Sequence, residues 1–261
     1  MTDAKHSVFV WIAAVSALLF LALPILIIFP LALSPSAYLT FPPRGISLQW
    51  VSKVVNDPAW IRSLQVSIIV ALLTTVLSLL LAVLAAVVLT RANFPAKRVV
   101  YALILMPMIL PGIITSIAVY FFLSRVGLAG SIYGMAIGHT ILALPVAVIL
   151  LSATLQGVDE RLENAAMSLG ASRLTAFRRI TLPLAAPGLA SAAIFAFLTS
   201  FDELLVSLFM SGPGLETLPV RIWNSVLFQL DPTIAAVSAL LVLVSVLALG
   251  GAAILQRRSP T

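Results

Sequence analysis

The sequence predicts an all-α polytopic membrane protein of six transmembrane helices, both termini inside, with one structured polar loop between helices four and five. Three observations predict it. Hydrophobic residues make up 61% of the 261-residue chain and charged residues only 9%, well under the roughly 25% charged residues of a soluble domain. Residues 6–43, 63–90, 99–124, 126–158, 180–201 and 232–256 contain no Asp, Glu, Lys or Arg, and each run holds the roughly 20 apolar residues that cross a bilayer. Basic residues are also unevenly shared between the connections. Lys5, Arg91, Lys97, Arg98, Arg161, Arg173, Arg178, Arg179, Arg257 and Arg258 fall on one side, ten in all, against Arg44, Lys53, Arg62, Arg125 and Arg221 on the other. The richer side is cytoplasmic by the positive-inside rule.

The first span, about residues 8–32, follows Lys5 as a signal peptide would, but its apolar run far exceeds a signal h-region, so it reads as a retained helix. The next connection, "SPSAYLTFPPRGISLQW", is rich in Pro, Ser and aromatics and reads as an extracytoplasmic loop with a short surface helix near Trp50 and Trp60. The second span covers about 64–90 and ends at the basic inner turn "RANFPAKR". The third, about 99–123, carries Pro107 and Pro111 in "MPMILPG". Each proline removes a helix hydrogen bond, so a kink or break is expected there. Two readings stand: a broken helix lining a transport path, or a proline-kinked packing helix. The fourth span, about 133–156, holds His139. An intramembrane histidine is noteworthy, although beside Gly138 and Thr140 it reads more readily as a packed, hydrogen-bonded residue than as a ligand.

The fifth span, about 187–210, is interrupted by Asp202 and Glu203. Its eleven Leu, Ile, Val and Phe residues contribute roughly −3 to −7 kcal/mol to insertion, which a central acidic pair would nearly cancel. The pair is therefore expected toward the outer end, in a wet cavity, or both. Asp202 is the better candidate to attract a cationic solute, because Ser200 to Glu203 matches a capping box that claims Glu203. The sixth span covers about 233–255, and the closing "QRRSPT" reads as its anchor. Neither an internal repeat nor a linker appears, so residues 1–261 read as one transmembrane domain.

Several chemistries are missing. The chain has no cysteine, which excludes thiol catalysis and Cys-ligated metals. It has no lysine after Lys97 and no Walker-type loop before it, so it cannot cradle ATP by that route. With no HExxH, no GxSxG and only two histidines, the expectation is a non-enzyme with no metal and no cofactor. The net charge of +6 is scattered between apolar runs, which fits a lipid bilayer as partner and not nucleic acid.

The polar stretch between spans four and five is "DERLENAAMSLGASRLTAFRRITLP". Leu162, Ala165, Ala166 and Leu169 lie at i, i+3, i+4 and i+7, one face of a short helix. Asp159 and Glu160 stand at its start, where the helix dipole favours negative charge. Gly170 supplies the left-handed cap. Ser172 can cap a second short helix carrying Leu174, Phe177 and Ile180, with Arg178 and Arg179 near its end and Pro183 and Pro187 closing the unit. An alanine-centred stripe is a poor lipid anchor, whereas small side chains suit docking into a partner's groove.

This stretch resembles the EAA loop of permease subunits of bacterial ABC importers: EAA, three residues, Gly, nine residues, Ile-x-Leu-Pro. Asn164-Ala165-Ala166, Gly170, Ile180, Leu182 and Pro183 fall on that spacing, with Asn164 at the family's Glu position and Glu163 just before it. "SFDELLVSLFMSGPGLETLPVRIW", "FPPRGISLQW" and "MPMILPGIITSIA" resemble segments of the spermidine/putrescine importer permeases. The resemblance implies a second permease subunit, two cytoplasmic ATP-binding subunits, an extracytoplasmic solute-binding protein, and a loop that couples ATPase closure to the spans. Importers of other solutes, such as an organophosphonate or ferric iron, and a secondary transporter without ATPase remain as alternatives. The topology has a direct test. A reporter fused after Ser172 should be active only if it works in the cytoplasm, and one fused near Trp50 only if it works outside; the reverse pattern contradicts six spans with both ends inside.

Overall fold

The computed structural model describes residues 3–228 and 231–258; Ser259 to Thr261 of the basic tail lie outside them. Apart from one bridge between Gly212 and Leu215, the regular structure described is helical. In chain order the helices are α1 (Asp3–Ala32), α2 (Gln49–Asn56), α3 (Pro58–Arg91), α4 (Lys97–Ile109), α5 (Gly112–Arg125), α6 (Ile132–Gln156), α7 (Glu160–Ser168) and α8 (Arg173–Ala176). A π-helical turn (Phe177–Thr181) follows, then α9 (Leu182–Leu184), α10 (Ala186–Phe201), α11 (Leu205–Met210), α12 (Leu218–Phe228) and α13 (Thr233–Arg258).

Among the described residues, Val8–Ala32, Pro58–Arg91 and Ile132–Gln156 are each long and apolar enough to cross a membrane unbroken. The runs predicted as spans three and five are not single helices. The third predicted run bends by 107° between α4 and α5. The break falls at Leu110–Pro111 while Pro107 stays inside α4, because the residue before a proline is pushed out of the helical region; Leu110 has ψ 147°. The fifth predicted run stops at Phe201 and restarts at Leu205. Pro183 and Pro187 flank the point, at Ala185, where the loop's second helix ends and α10 begins. Pro187 lies in the first turn of α10, where a missing N–H is harmless, whereas Pro183 lies just past the π turn within continuous helix. The chain stays helical from Arg173 to Leu184, widens through the π turn, and then bends by 71° into α10.

The chain forms two compact units, residues Arg62–Arg221 and residues Met1–Ile61 with Ile222–Thr261. In the first, α6 is the central post, packed on α10, α4, α11 and α5. The contact with α10 is close because α10 turns Gly188, Ala192, Ala196 and Ser200 inward, four residues apart. Apolar helices in lipid gain little from burial alone and associate through such small residues, which let backbones approach. α3 buries Val70, Thr74, Ser78, Ala82 and Ala86 with the same spacing. One apolar cluster gathers Val66, Val70, Val119, Leu123, Met135, Val206 and Met210, and another Ala82, Ala86, Ala147, Val148, Leu151 and Ala192. In the second unit α1 and α2 pack on α13, with Ala32, Ala235, Ala236 and Ala239 buried between them. Lys53 Nζ pairs with Asp231 Oδ2 at 2.6 Å and lies 5.2 Å from the Trp50 ring. Burial pushes the Asp231 carboxyl up, but the Lys53 bond and charge outweigh it and hold the group below its ordinary value. The pair's contribution is therefore present at neutral pH and lost as acid titrates Asp231.

Gly138 shows how tight the first unit is. A Cβ there would lie 2.7 Å from Val206 Cγ1 and 3.1 Å from Val119 Cγ1. Gly138→Ala should destabilise the protein by about 1–3 kcal/mol through overpacking. Val206→Ala removes the nearer methyl group, so thermal unfolding in detergent should find the double variant more stable than the two single losses add up to. Strict additivity would mean that the two helices do not touch at Gly138.

Candidate functional site

Two groups of residues hold the chemistry, both within residues Arg62–Arg221. The first is the polar loop. α7 begins where Asp159 accepts a hydrogen bond from the Arg161 N–H at 2.9 Å. It ends at Gly170 with φ +93°, a conformation glycine adopts without strain. Ser172 then accepts from the Thr175 N–H at 3.2 Å and starts α8. Of the apolar stripe, Leu169 is 90% and Leu162 46% exposed, Ala165 is exposed and Ala166 half-buried. Among the described residues nothing covers Leu162, Ala165 or Leu169, and Ala166 is partly covered.

The reverse side of α7 is tied down. Glu163 accepts a hydrogen bond from Thr181 Oγ1 in the π turn and lies 3.5 Å from Arg91 Nη2. Arg91, the last residue of α3, also meets Glu160 Oε1 at 2.7 Å and donates to the Val158 carbonyl at 3.2 Å. One guanidinium thus joins the end of α3 to the start of α7. Glu163 is spent on this inner brace, while Asn164 is exposed, so the two adjacent residues face different ways. Thr181 is buried, Ile180 and Leu182 are half-buried, and Pro183 is exposed on the π turn and α9. The sequence offered no partner for Glu163; the signal was an arginine closing an apolar run, with no acidic neighbour of its own.

The second group surrounds the break in span five. Asp202 closes α10 and is exposed. Glu203 is nearly buried, its side chain 10% exposed, and it accepts from the N–H groups of Leu205 at 3.0 Å and Ser207 at 3.1 Å. It therefore caps α11 by itself. The expected capping box with Ser200 does not form, because the Ser200 hydroxyl is used elsewhere: it donates to Thr74 Oγ1 at 3.2 Å, and Thr74 donates to the Ala136 carbonyl at 3.3 Å. His139, fully buried, lies 2.8 Å from Ser200 Oγ through Nδ1 and 3.0 Å from Ser207 Oγ through Nε2, with Glu203 Oε2 at 3.5 Å. Sequence reading left this chain of Thr74, Ser200, His139 and Ser207 unassembled; the available signal was polar residues in register with the buried small ones.

The two breaks are neighbours. A Cβ on Gly112, one residue past Pro111, would lie 3.2 Å from Leu205 Cδ1. Pro111 itself is exposed. Pro107 lines a separate, open apolar groove with Val100, Leu103, Ile104, Ile141 and Leu144. Of the two candidate prolines, only Pro111 therefore sits beside the break that carries Asp202 and Glu203. Among the described residues no group of three or more His, Cys, Asp or Glu could hold a metal ion.

The sequence and the helical fold both have known counterparts. The family model for binding-protein-dependent transport system inner membrane components matches residues 78–259. The chain belongs to this family. It is similar to the spermidine/putrescine transport system permease protein PotC of Escherichia coli strain K12, at 29% identity over 202 residues, 77% of this chain and 76% of that protein. It is also similar to the putrescine transport system permease protein PotI of the same strain, at 31% identity over 206 residues, 76% of this chain and 73% of that protein. The sulfoquinovosyl glycerol transport system permease protein SmoH of Agrobacterium fabrum is 33% identical over 157 residues, 60% of this chain and 55% of that protein. Among solved structures, a bacterial ABC transporter involved in the import of the acidic polysaccharide alginate superposes with TM-score 0.76 at 19% identity, covering 100% of this chain and 99% of that one; that likeness concerns the fold. The chain is thus an inner-membrane permease component of a transport system.

The brace behind α7 yields a stability prediction. Glu163→Ala leaves the buried Thr181 hydroxyl and one face of Arg91 without a partner, a loss of about 1–3 kcal/mol. Asn164→Ala touches neither. Thermal unfolding of the detergent-solubilised protein should show a lowered midpoint for the first variant and the parent's midpoint for the second. Equal midpoints for all three would remove Glu163 from the brace.

Proposed function

We propose that residues 1–261 are a single transmembrane domain of an ATP-driven importer, with spans near 8–32, 64–90, 99–123, 133–156, 187–210 and 233–255. The domain works with a second permease subunit, two cytoplasmic ATP-binding subunits and an extracytoplasmic solute-binding protein. The solute is a polyamine of the spermidine or putrescine class. The observation that carries the mechanism is the largely uncovered Leu162, Ala165, Ala166 and Leu169 stripe on a helix clamped from behind by Arg91. An apolar stripe free on one side and fixed on the other suits force transfer: a partner's groove grips the stripe, and the clamp passes the displacement to α3 and, through Thr181, toward α10. Similarity to PotC and PotI supports the polyamine reading. So does the exposed carboxylate of Asp202 beside the two breaks, since a polycation released from its binding protein needs a negative group to receive it.

Pro111 and the Asp202–Glu203 pair form the path in this reading. Glu203 serves the path by ending one helix and starting the next, and Asp202 meets the solute. Pro107 lines the separate groove. Chemistry within the chain is limited to binding and orientation, and ATP hydrolysis belongs to the partner subunits. A second reading, an importer of another solute, draws on the similarity to SmoH; Asp202 favours a cation over an anionic cargo.

The test is uptake of spermidine by vesicles carrying the assembled transporter. Ala166→Trp should abolish uptake while the subunits still insert, since it overpacks the docking stripe. Asp202→Asn should leave the complex assembled and raise the KM for spermidine, with less effect on the maximal rate. Parental uptake in Ala166→Trp would mean that the stripe docks nothing, and an unchanged KM in Asp202→Asn would remove the carboxylate from the path.

A further inference from the structure

His139 has no role in the reading above, yet it is an imidazole with no exposed surface, held against Ser200 and Ser207, with Met135 Sδ on the Ser207 hydroxyl. A leucine would fill that space without the penalty of burying two polar nitrogens. The side chain's partners lie on both sides of one discontinuity. Nδ1 meets Ser200 in α10, before the break; Nε2 meets Ser207 in α11, after it. The break is short, from Asp202 to Leu204. The Asp202 N–H to Leu198 carbonyl bond of 3.1 Å and the weaker Glu203 N–H to Ser200 carbonyl bond of 3.4 Å tie its start to α10, and among the described residues no backbone bond runs from Leu204 or α11 back to α10. The angle between α10 and α11 therefore depends on side chains.

The donors can be counted. Ser200 has one proton and gives it to Thr74, which gives its own to the Ala136 carbonyl. The Ser200 oxygen is thus left as an acceptor toward Nδ1, and a neutral imidazole carrying its proton on Nδ1 satisfies it. Nε2 is then an acceptor toward the Ser207 hydroxyl at 3.0 Å, which also points to Met135 Sδ at 3.9 Å; Glu203 Oε2 lies 3.5 Å from the same nitrogen. Glu203 supports the same joint from below by capping α11. Every polar atom of the ring is engaged, and each engagement crosses to a different helix.

We propose that His139 is a positioning residue of the translocation path: its imidazole bolts α10 to α11 across the break through Ser200 and Ser207, and so fixes the direction in which Asp202 is presented. The role is not solute contact, because the ring is sealed off. This inference rests on the polyamine-importer reading for the function of Asp202, but the bolt itself does not.

The absence of cysteine makes the test clean. Ile194→Cys and Leu208→Cys, on exposed positions of α10 and α11, carry a spin-label pair across the break in the assembled transporter, its partner subunits cleared of cysteine. The parent should give one narrow distance distribution. His139→Leu should broaden it or add a second distance, and raise the KM for spermidine about tenfold with the maximal rate and the amount of complex little changed. His139→Gln, which keeps one donor and one acceptor, should restore part of both. If His139→Leu fails to assemble, Ser207→Ala cuts one tie only and should give the same changes, smaller. A narrow distribution and parental KM in an assembled variant overturn the inference, as does a loss of complex with KM unchanged, which is the mark of a merely structural histidine. Broadened distances in a complex whose parent takes up no spermidine support the bolt and overturn the polyamine reading. Unchanged distances with brisk parental uptake do the reverse.

Discussion

A helix that stops within an apolar run strands backbone N–H and C=O groups that the apolar side chains around it cannot satisfy, and this constraint organises the rest of residues Arg62–Arg221. Residues Arg62–Arg221 contain two such stops, at Leu110–Pro111 and at Asp202–Leu204. The first is met by proline, which brings no N–H to satisfy and whose carbonyl accepts from the N–H groups of Ile114 at 3.0 Å and Thr115 at 3.2 Å. The second is met by Glu203, a carboxylate that accepts two of the stranded N–H groups of α11. Once the carboxylate is spent that way, the neighbouring polar groups must be satisfied as a set, and Thr74, His139, Ser200 and Ser207 close it.

That closed set also explains why the surrounding helices are lined with small residues. Hydrogen bonds of about 3 Å between α3, α6, α10 and α11 require backbones close together. Gly138 and Gly188 supply the approach on α6 and α10; at Gly188 a Cβ would lie 2.0 Å from Thr154 Oγ1. Packing and polar satisfaction are one arrangement here. A larger side chain at either glycine would pry apart the helices that the buried hydroxyl groups hold together.

The opposite logic governs the polar loop. α7 is short and its apolar stripe faces outward, so its stability comes from its ends and its back: Asp159 and Gly170 at the termini, Glu160 and Glu163 on Arg91, and Thr181 from the π turn. The π turn fits this role. It widens the helix just before Pro183, where the wider turn accommodates a residue that cannot donate, and it brings Thr181 under Glu163. Held from behind, α7 keeps Leu162, Ala165 and Leu169 turned outward.

The sequence by itself determined the membrane class, the apolar runs, and the helix, glycine turn and helix of the polar loop. It also marked the proline break and the special status of Asp202 and Glu203. These are local properties: a run of apolar residues, a cap at fixed offset, or a proline acts through its immediate neighbours in the chain. Only the tertiary structure decided that Glu163 turns inward to Arg91 while Asn164 stays outside. It alone decided that Glu203 caps forward without Ser200, and that Pro111, not Pro107, sits by the second break. The joining of His139 to Ser200 and Ser207, 61 and 68 residues away, belongs to it as well. The reason is physical. A hydrogen bond depends on distance in space, and in this protein the distances between spans are set by which small residues let two helices touch.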